Sequence, residues 1–108
     1  MRVDFVVLDS LVQREFDPKQ TMDILASKHK VVLWWGAQNF SQYKNKALFF
    51  KVWGRLHKGI VCITLAWDDT YTITLLNLNF EAQQTRKDVY FNELVNNIDH
   101  MVETEQCL

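Results

Sequence analysis

Residues 60–77 read "IVCITLAWDDTYTITLLN". Two runs rich in β-branched and aromatic residues flank an Asp-Asp pair, the pattern of a β-hairpin. If Asp68, Asp69 and Thr70 form the loop, Trp67 faces Tyr71, Leu65 faces Ile73 and Ile63 faces Leu75. Ala66 then faces Thr72, and Thr64 faces Thr74. A two-residue loop would pair Trp67 with Thr70 and Leu65 with Thr72, mixing apolar and polar partners. Register follows the buried face, so the longer loop is expected. Its cost is Thr70, a poor residue for the left-handed position such loops use.

Working outward, Ala47 to Trp53 reads as a strand and "GRLHKG" (54–59) as the turn into the hairpin. Val31 to Trp35 reads as another strand, closed by Gly36, with "AQNFSQYKNK" (37–46) as loop. Neighbouring strand residues point to opposite faces. Trp34 and Trp35 are therefore expected to split, one ring buried and one exposed or in an interface. Leu33 should follow Trp35, and Val32 should follow Trp34. Phe49 and Phe50 should split in the same way. The polar segment 78–88 has room for one more short strand.

Alternation of Val3, Phe5 and Val7 predicts a strand over residues 2–8, and Leu8, Leu11, Val12 and Glu15 a short helix over 9–16. "DPKQ" (17–20) is a helix start. Asp17 is the N-cap, Pro18 takes the first helical position, and Gln20 lies three after the cap to reach back to it. Met22, Leu25, Ala26 and His29 continue one face, giving a helix at 18–29. Phe91, Leu94, Val95, Ile98, Met101 and Val102 form the apolar stripe of a helix at about 90–104, with a frayed tail at 105–108. The chain thus reads as a single α+β domain over residues 1–108. Its expected architecture is an antiparallel β-meander of four to five strands, with one helix before it and one after. The helices cover one sheet face. Large aromatics on the other face call for a cover by the N-terminal segment, a second subunit or a ligand.

Hydrophobic residues make up 48% of the 108, with four Trp, three Tyr and seven Phe, which excludes a disordered chain. No apolar run approaches a membrane span and the start lacks a signal-peptide pattern, so a cytoplasmic protein without a membrane partner is expected. Cys62 lies within a strand pattern and Cys107 near the end, so no disulfide is expected. Cys107 also lacks the spacing needed for prenylation.

The net charge of −1 conceals a pattern. Residues 1–23 sum to −2 and residues 68–108 to −6, whereas residues 24–67 hold no acid and sum to +7. Within that segment Lys44, Lys46, Lys51, Arg55 and Lys58 lie among Tyr43, Phe49, Phe50 and Trp53. Cations beside exposed aromatics suit single-stranded nucleic acid, which needs phosphate neutralised and bases stacked. Lys44, Lys46, Phe49, Lys51, Trp53, Arg55 and Lys58 are the candidate binding residues. The plainer reading keeps the aromatics in the core, the lysines at its edges and the basic middle against the acidic end. It is favoured, because nucleic-acid-binding domains usually keep a positive surplus.

Asp68-Asp69 reads as a turn former rather than a carboxylate pair. His29, His57 and His100 lie on different elements, so no metal site is expected. Cys62 within an apolar strand reads as inert core. With no Ser-His-Asp arrangement, Gly-rich nucleotide motif or P-loop, neither an enzyme nor a cofactor is expected.

The pieces Gly36, Ala37, Asn39 and Phe40; Phe50 and Lys51; Ile63, Thr64 and Leu65; Asp69 and Tyr71; and Val89, Tyr90 and Leu94 occur in a particular order. In that order the chain, over about residues 20–102, resembles a family of small phage and mobile-element proteins. The Trp34-Trp35 pair and residues 1–16 depart from the pattern. No activity comes with the resemblance, and no functional residue is carried over. It implies only a viral or mobile-element origin; with no catalytic motif in the chain, a small non-enzymatic interaction protein is expected. The specific version is an inhibitor of a host defence system that binds a host macromolecule. A host protein or a second copy in a homodimer is the expected partner ahead of nucleic acid.

Overall fold

A computed structural model describes residues 3–102. Three helices come first: α1 (Phe5–Leu11), α2 (Pro18–Ala26) and α3 (His29–Trp34). Five strands follow: β1 (Gln38–Tyr43), β2 (Ala47–Trp53), β3 (Lys58–Leu65), β4 (Tyr71–Leu76) and β5 (Ala82–Val89). A 3-10 turn at Phe91–Glu93 leads into α4 (Leu94–Val102). The strands form one antiparallel meander in the order β1-β2-β3-β4-β5, the α+β architecture expected. Residues 103–104 of the expected C-terminal helix, the tail with Cys107, and residue 2 of the expected first strand lie outside the described residues.

The central hairpin pairs Leu65 with Tyr71, Ile63 with Ile73 and Val61 with Leu75, and on the other face Thr64 with Thr72 and Cys62 with Thr74. The apolar face is as expected, but the register differs by two residues. The Ala66 N–H donates to the Thr70 carbonyl (2.8 Å), so the loop is Trp67-Asp68-Asp69. Both registers keep the same residues on the same faces, so burial cannot choose between them. Turn chemistry chooses. The left-handed position falls on Asp69 (φ 66), which tolerates it, and not on β-branched Thr70. Asp68 then accepts from the Thr70 backbone N–H (3.1 Å) and hydroxyl (2.6 Å), which hold its carboxyl below the ordinary value.

Two expected strands are helices. Asp4 caps α1 by accepting from the Val6 and Val7 N–H groups (3.0 and 3.3 Å). Val7, Leu8 and Leu11 then lie on the helical face that meets the sheet. This helix covers residues 9–11 of the short helix expected over 9–16 and ends at Leu11, leaving residues 12–16 outside it. Residues 29–34 also coil: Val31, Val32 and Trp35 turn inward while Leu33 and Trp34 are 69% and 70% exposed. The tryptophan rings do split, but Leu33 does not follow Trp35. The cause is helical rather than strand periodicity. The neighbouring place beside β2 belongs to residues 38–43, expected as loop. Their turn places Lys44 and Asn45 in left-handed conformations and closes with the Lys46 N–H on the Tyr43 carbonyl (2.8 Å).

The helix start at Asp17 is as expected, its carboxylate accepting from the Lys19 N–H (3.0 Å). α2 ends at Ala26, three residues short of the expected 29, and His29 opens α3.

Both sheet faces are covered. On one, Leu48, Phe50, Val52, Val61, Ile63 and Ile73 pack with Leu25, Trp35 and the apolar stripe of α4. The Trp35 Nε1–H donates to Asp99 of α4 (2.9 Å). On the other, Ala47, Phe49, Ile60, Cys62 and Leu76 pack with Leu8 of α1 and with Phe80.

The hairpin assignment generates a stability test. Asp69→Asn and Asp69→Val both remove the charge that pairs with Arg14. Only valine is also strained at a positive φ. Asp69→Asn should cost under about 1 kcal/mol, and Asp69→Val roughly 1–2 kcal/mol more. Equal losses in urea denaturation would place the left-handed residue elsewhere.

Candidate functional site

The seven residues singled out in the sequence do not form one surface. Lys44 and Lys46 sit at the β1–β2 turn, where the Lys44 Nζ lies 5.2 Å from the Tyr43 ring centroid. Phe49 is buried beneath α1, edge-on to Phe80. Lys51 is half-buried on the same face, paired with Gln38 and Ile60. Trp53, Arg55 and Lys58 gather at the far end of β2. Seven residues of extended chain separate Lys46 from Trp53, about 23 Å.

The far end is the more developed half. Trp53 is 60% exposed and pairs with Lys58, whose Nζ sits 5.5 Å from its ring centroid. The Trp53 N–H donates to the Trp35 carbonyl (2.6 Å), tying the end of α3 to the end of β2. Gly36 permits this approach. Its φ is +65, and a Cβ there would stand 3.3 Å from the Trp53 Cβ. Leu33 and Trp34 are thereby held on the same rim. The next turn supplies Leu56, 48% exposed, fixed by its N–H to the Val102 carbonyl (2.8 Å). Leu33, Trp34 and Leu56 were not among the sequence candidates. The signal that marks them is the acid-free segment itself, which contains every element of this rim. A helical reading of residues 29–34 would have turned Leu33 and Trp34 outward together.

His57 closes the β2–β3 turn, its Nε2–H donating to the Ile60 carbonyl (3.2 Å) while its own carbonyl accepts from Gly54. Partial burial removes solvent from the ring and lowers its pKa below the usual 6.5, against the opposing pull of the Ile60 and Leu76 backbone groups.

Two adjoining hollows share Gln20, Ile24 and Phe91: one of about 510 Å³ between α2 and the start of α4, and one of about 590 Å³ between α2, residues 14–17 and the β3–β4 end of the sheet. Amides, carboxylates and apolar side chains line them, together with Lys28 and Ser27 in the first and Arg14 and Tyr71 in the second. Cys62 is buried away from them, and loss of solvent pushes its thiol up to about 12, which makes it a poor nucleophile. Among the described residues no three His, Cys, Asp or Glu side chains converge as metal ligands, and no helix is long and apolar enough to cross a membrane. Comparison with known families, curated proteins and solved structures returns no match to this chain.

Two measurements follow from the rim. His57 binds a proton less readily folded than unfolded, so stability should be full above about pH 6.5 and fall as pH drops below it. His57→Gln should flatten that fall. Parallel pH profiles would show that His57 is not the group responsible. For the tryptophans, iodide should quench Trp53 more than caesium does, because the cations around it concentrate anions. Trp35 should be shielded from both. Quenching of Trp53 led by caesium would remove the basic character of the rim.

Proposed function

We propose that this chain is a non-enzymatic binding protein that docks an acidic protein partner through the rim of Leu33, Trp34, Trp53, Arg55, Leu56 and Lys58. The carrying observation is the exposure of Trp34 and Trp53, with Leu33 and Leu56, on elements that hold cations and no acids. Exposed large apolar groups beside like charges make a surface with apolar anchors and a charged border, the composition of a docking site. Tryptophan and arginine are the side chains that most often dominate binding energy. With the resemblance to phage and mobile-element proteins, the partner is a host protein, and inhibition of a host defence system is the specific form of this reading.

Single-stranded nucleic acid is the second reading, favoured by Lys58 lying over the Trp53 ring. A base stacked on Trp53 with phosphate near Lys58 and Lys51 would use the same chemistry. The two readings separate by salt and by probe.

The test compares wild type with Trp34→Ala/Trp53→Ala and with Trp67→Ala, the last removing an exposed tryptophan far from the rim. A partner protein retained by wild type and by Trp67→Ala but lost by the double variant supports docking at the rim. Retention by all three overturns it. In parallel, labelled single-stranded DNA and RNA are titrated at two salt concentrations. Three or four phosphate contacts would give a log–log slope of roughly −2 to −3. Lys51→Gln and Lys58→Gln would each reduce it by up to about one unit. Such slopes would favour nucleic acid over an acidic protein.

A further inference from the structure

The end of α4 meets the β2–β3 turn. The Val102 carbonyl, one of the last in α4 and so without a partner inside the helix, accepts from the Leu56 N–H (2.8 Å) and the His57 N–H (3.2 Å). One turn earlier, Asp99 accepts from the Trp35 Nε1–H (2.9 Å). The chain beyond Val102 therefore starts beside Leu56, next to the rim. Its sequence is Glu103-Thr104-Glu105-Gln106-Cys107-Leu108, with two acids and no cation. Arg55 and Lys58 are exposed and stand one and two positions from Leu56. Three residues span at most about 10 Å, so Glu103 and Glu105 are within reach of both cations.

We infer that residues 103–106 dock on the rim of their own chain, with Glu103 and Glu105 against Arg55 and Lys58, and compete there with an acidic partner. The inference rests on the reading of the rim as a docking surface and adds its regulation. Charge selects this occupant. Residues 24–67 hold seven cations and no acid, so the elements that carry the rim cannot balance it themselves. Glu103 and Glu105 follow directly on the point where α4 touches it.

Attachment at Val102 has a second effect. A segment on so short a tether meets the rim at high effective concentration, so exposed ion pairs that are weak one by one suffice to hold it there for part of the time. An acidic partner must displace it, and its apparent Kd rises in proportion to the fraction of rims covered. A ligand that offers charge alone is thereby rejected. One that also brings apolar groups to Leu33, Trp34 and Leu56 gains contacts that the two glutamates do not supply.

The test uses the full chain labelled with 5-fluorotryptophan, which gives one fluorine signal for each of the four tryptophans. An uncharged gadolinium chelate probes access to each ring; being uncharged, it reports cover and not local potential. Trp53 is the reporter, because Lys58 Nζ lies 5.5 Å from its ring centroid. In Glu103→Gln/Glu105→Gln, broadening of the Trp53 signal should rise about twofold over wild type. About 0.5 M salt, which screens charges beyond roughly 4 Å, should produce the same rise in wild type and none in the variant. Buried Trp35, and exposed Trp67 at the opposite end of the sheet, should not respond. Asp88→Asn/Glu93→Gln removes as much charge from other exposed positions and should leave all four signals as in wild type. Far-UV circular dichroism checks that the variants stay folded. Equal access to Trp53 in wild type and Glu103→Gln/Glu105→Gln overturns the inference, as does a rise shared by Trp67 or one that salt does not reproduce. The measurement needs no partner, so it fails separately from the rim reading, which the Trp34→Ala/Trp53→Ala comparison tests.

Discussion

Phe49 and Phe50 are neighbours on β2 and both are buried, each in a different core. That arrangement requires the sheet to be covered twice. α2, α3 and α4 supply one cover and α1 the other. Removal of either ring would cost about 3–5 kcal/mol, a large part of the roughly 5–15 kcal/mol that holds a domain together. A chain of this length has few residues to spare for two covers. Hence α1 is short, and much of its outer face, with Phe5 and Val6, remains exposed.

Covering both faces forces the chain to cross from one to the other. Residues 12–16 make that crossing at the end of the sheet that carries the β1–β2 and β3–β4 turns. The Phe16 N–H donates to the Asn45 carbonyl (2.8 Å), the Phe16 ring meets Tyr71 edge-on, and Arg14 pairs with Asp69. In a meander the β2–β3 turn lies at the opposite end. The crossing therefore occupies one end and leaves the other to α3, Trp53 and the loop through Leu56. Lys44 and Lys46 share the crossing end with Asp68, Asp69 and Glu15, so charge is mixed there. The basic character of residues 24–67 persists mainly at the other end.

Much of this was legible in the sequence where a pattern had one physical solution. β2 occupies the expected residues 47–53, and the Asp17-Pro18 start of α2 and the stripe of α4 are where capping and periodicity put them. The errors arose where two solutions satisfied one pattern. Val31 to Trp35 is apolar throughout, so a short run fits strand or helix; only the other strands' demand for space beside β2 decides. Val3, Phe5 and Val7 alternate, yet Val3, Val7 and Leu11 also recur at helical spacing, and Asp4 supplies a cap. β1 was hidden because its two aromatics, Phe40 and Tyr43, stand three residues apart among Gln, Asn and Ser, and a register shift between Gln38 and Ser41 breaks the period-two pattern. The rim was half legible: Trp53, Arg55 and Lys58 were marked by charge, but the burial of Phe49 depended on where α1 folded back.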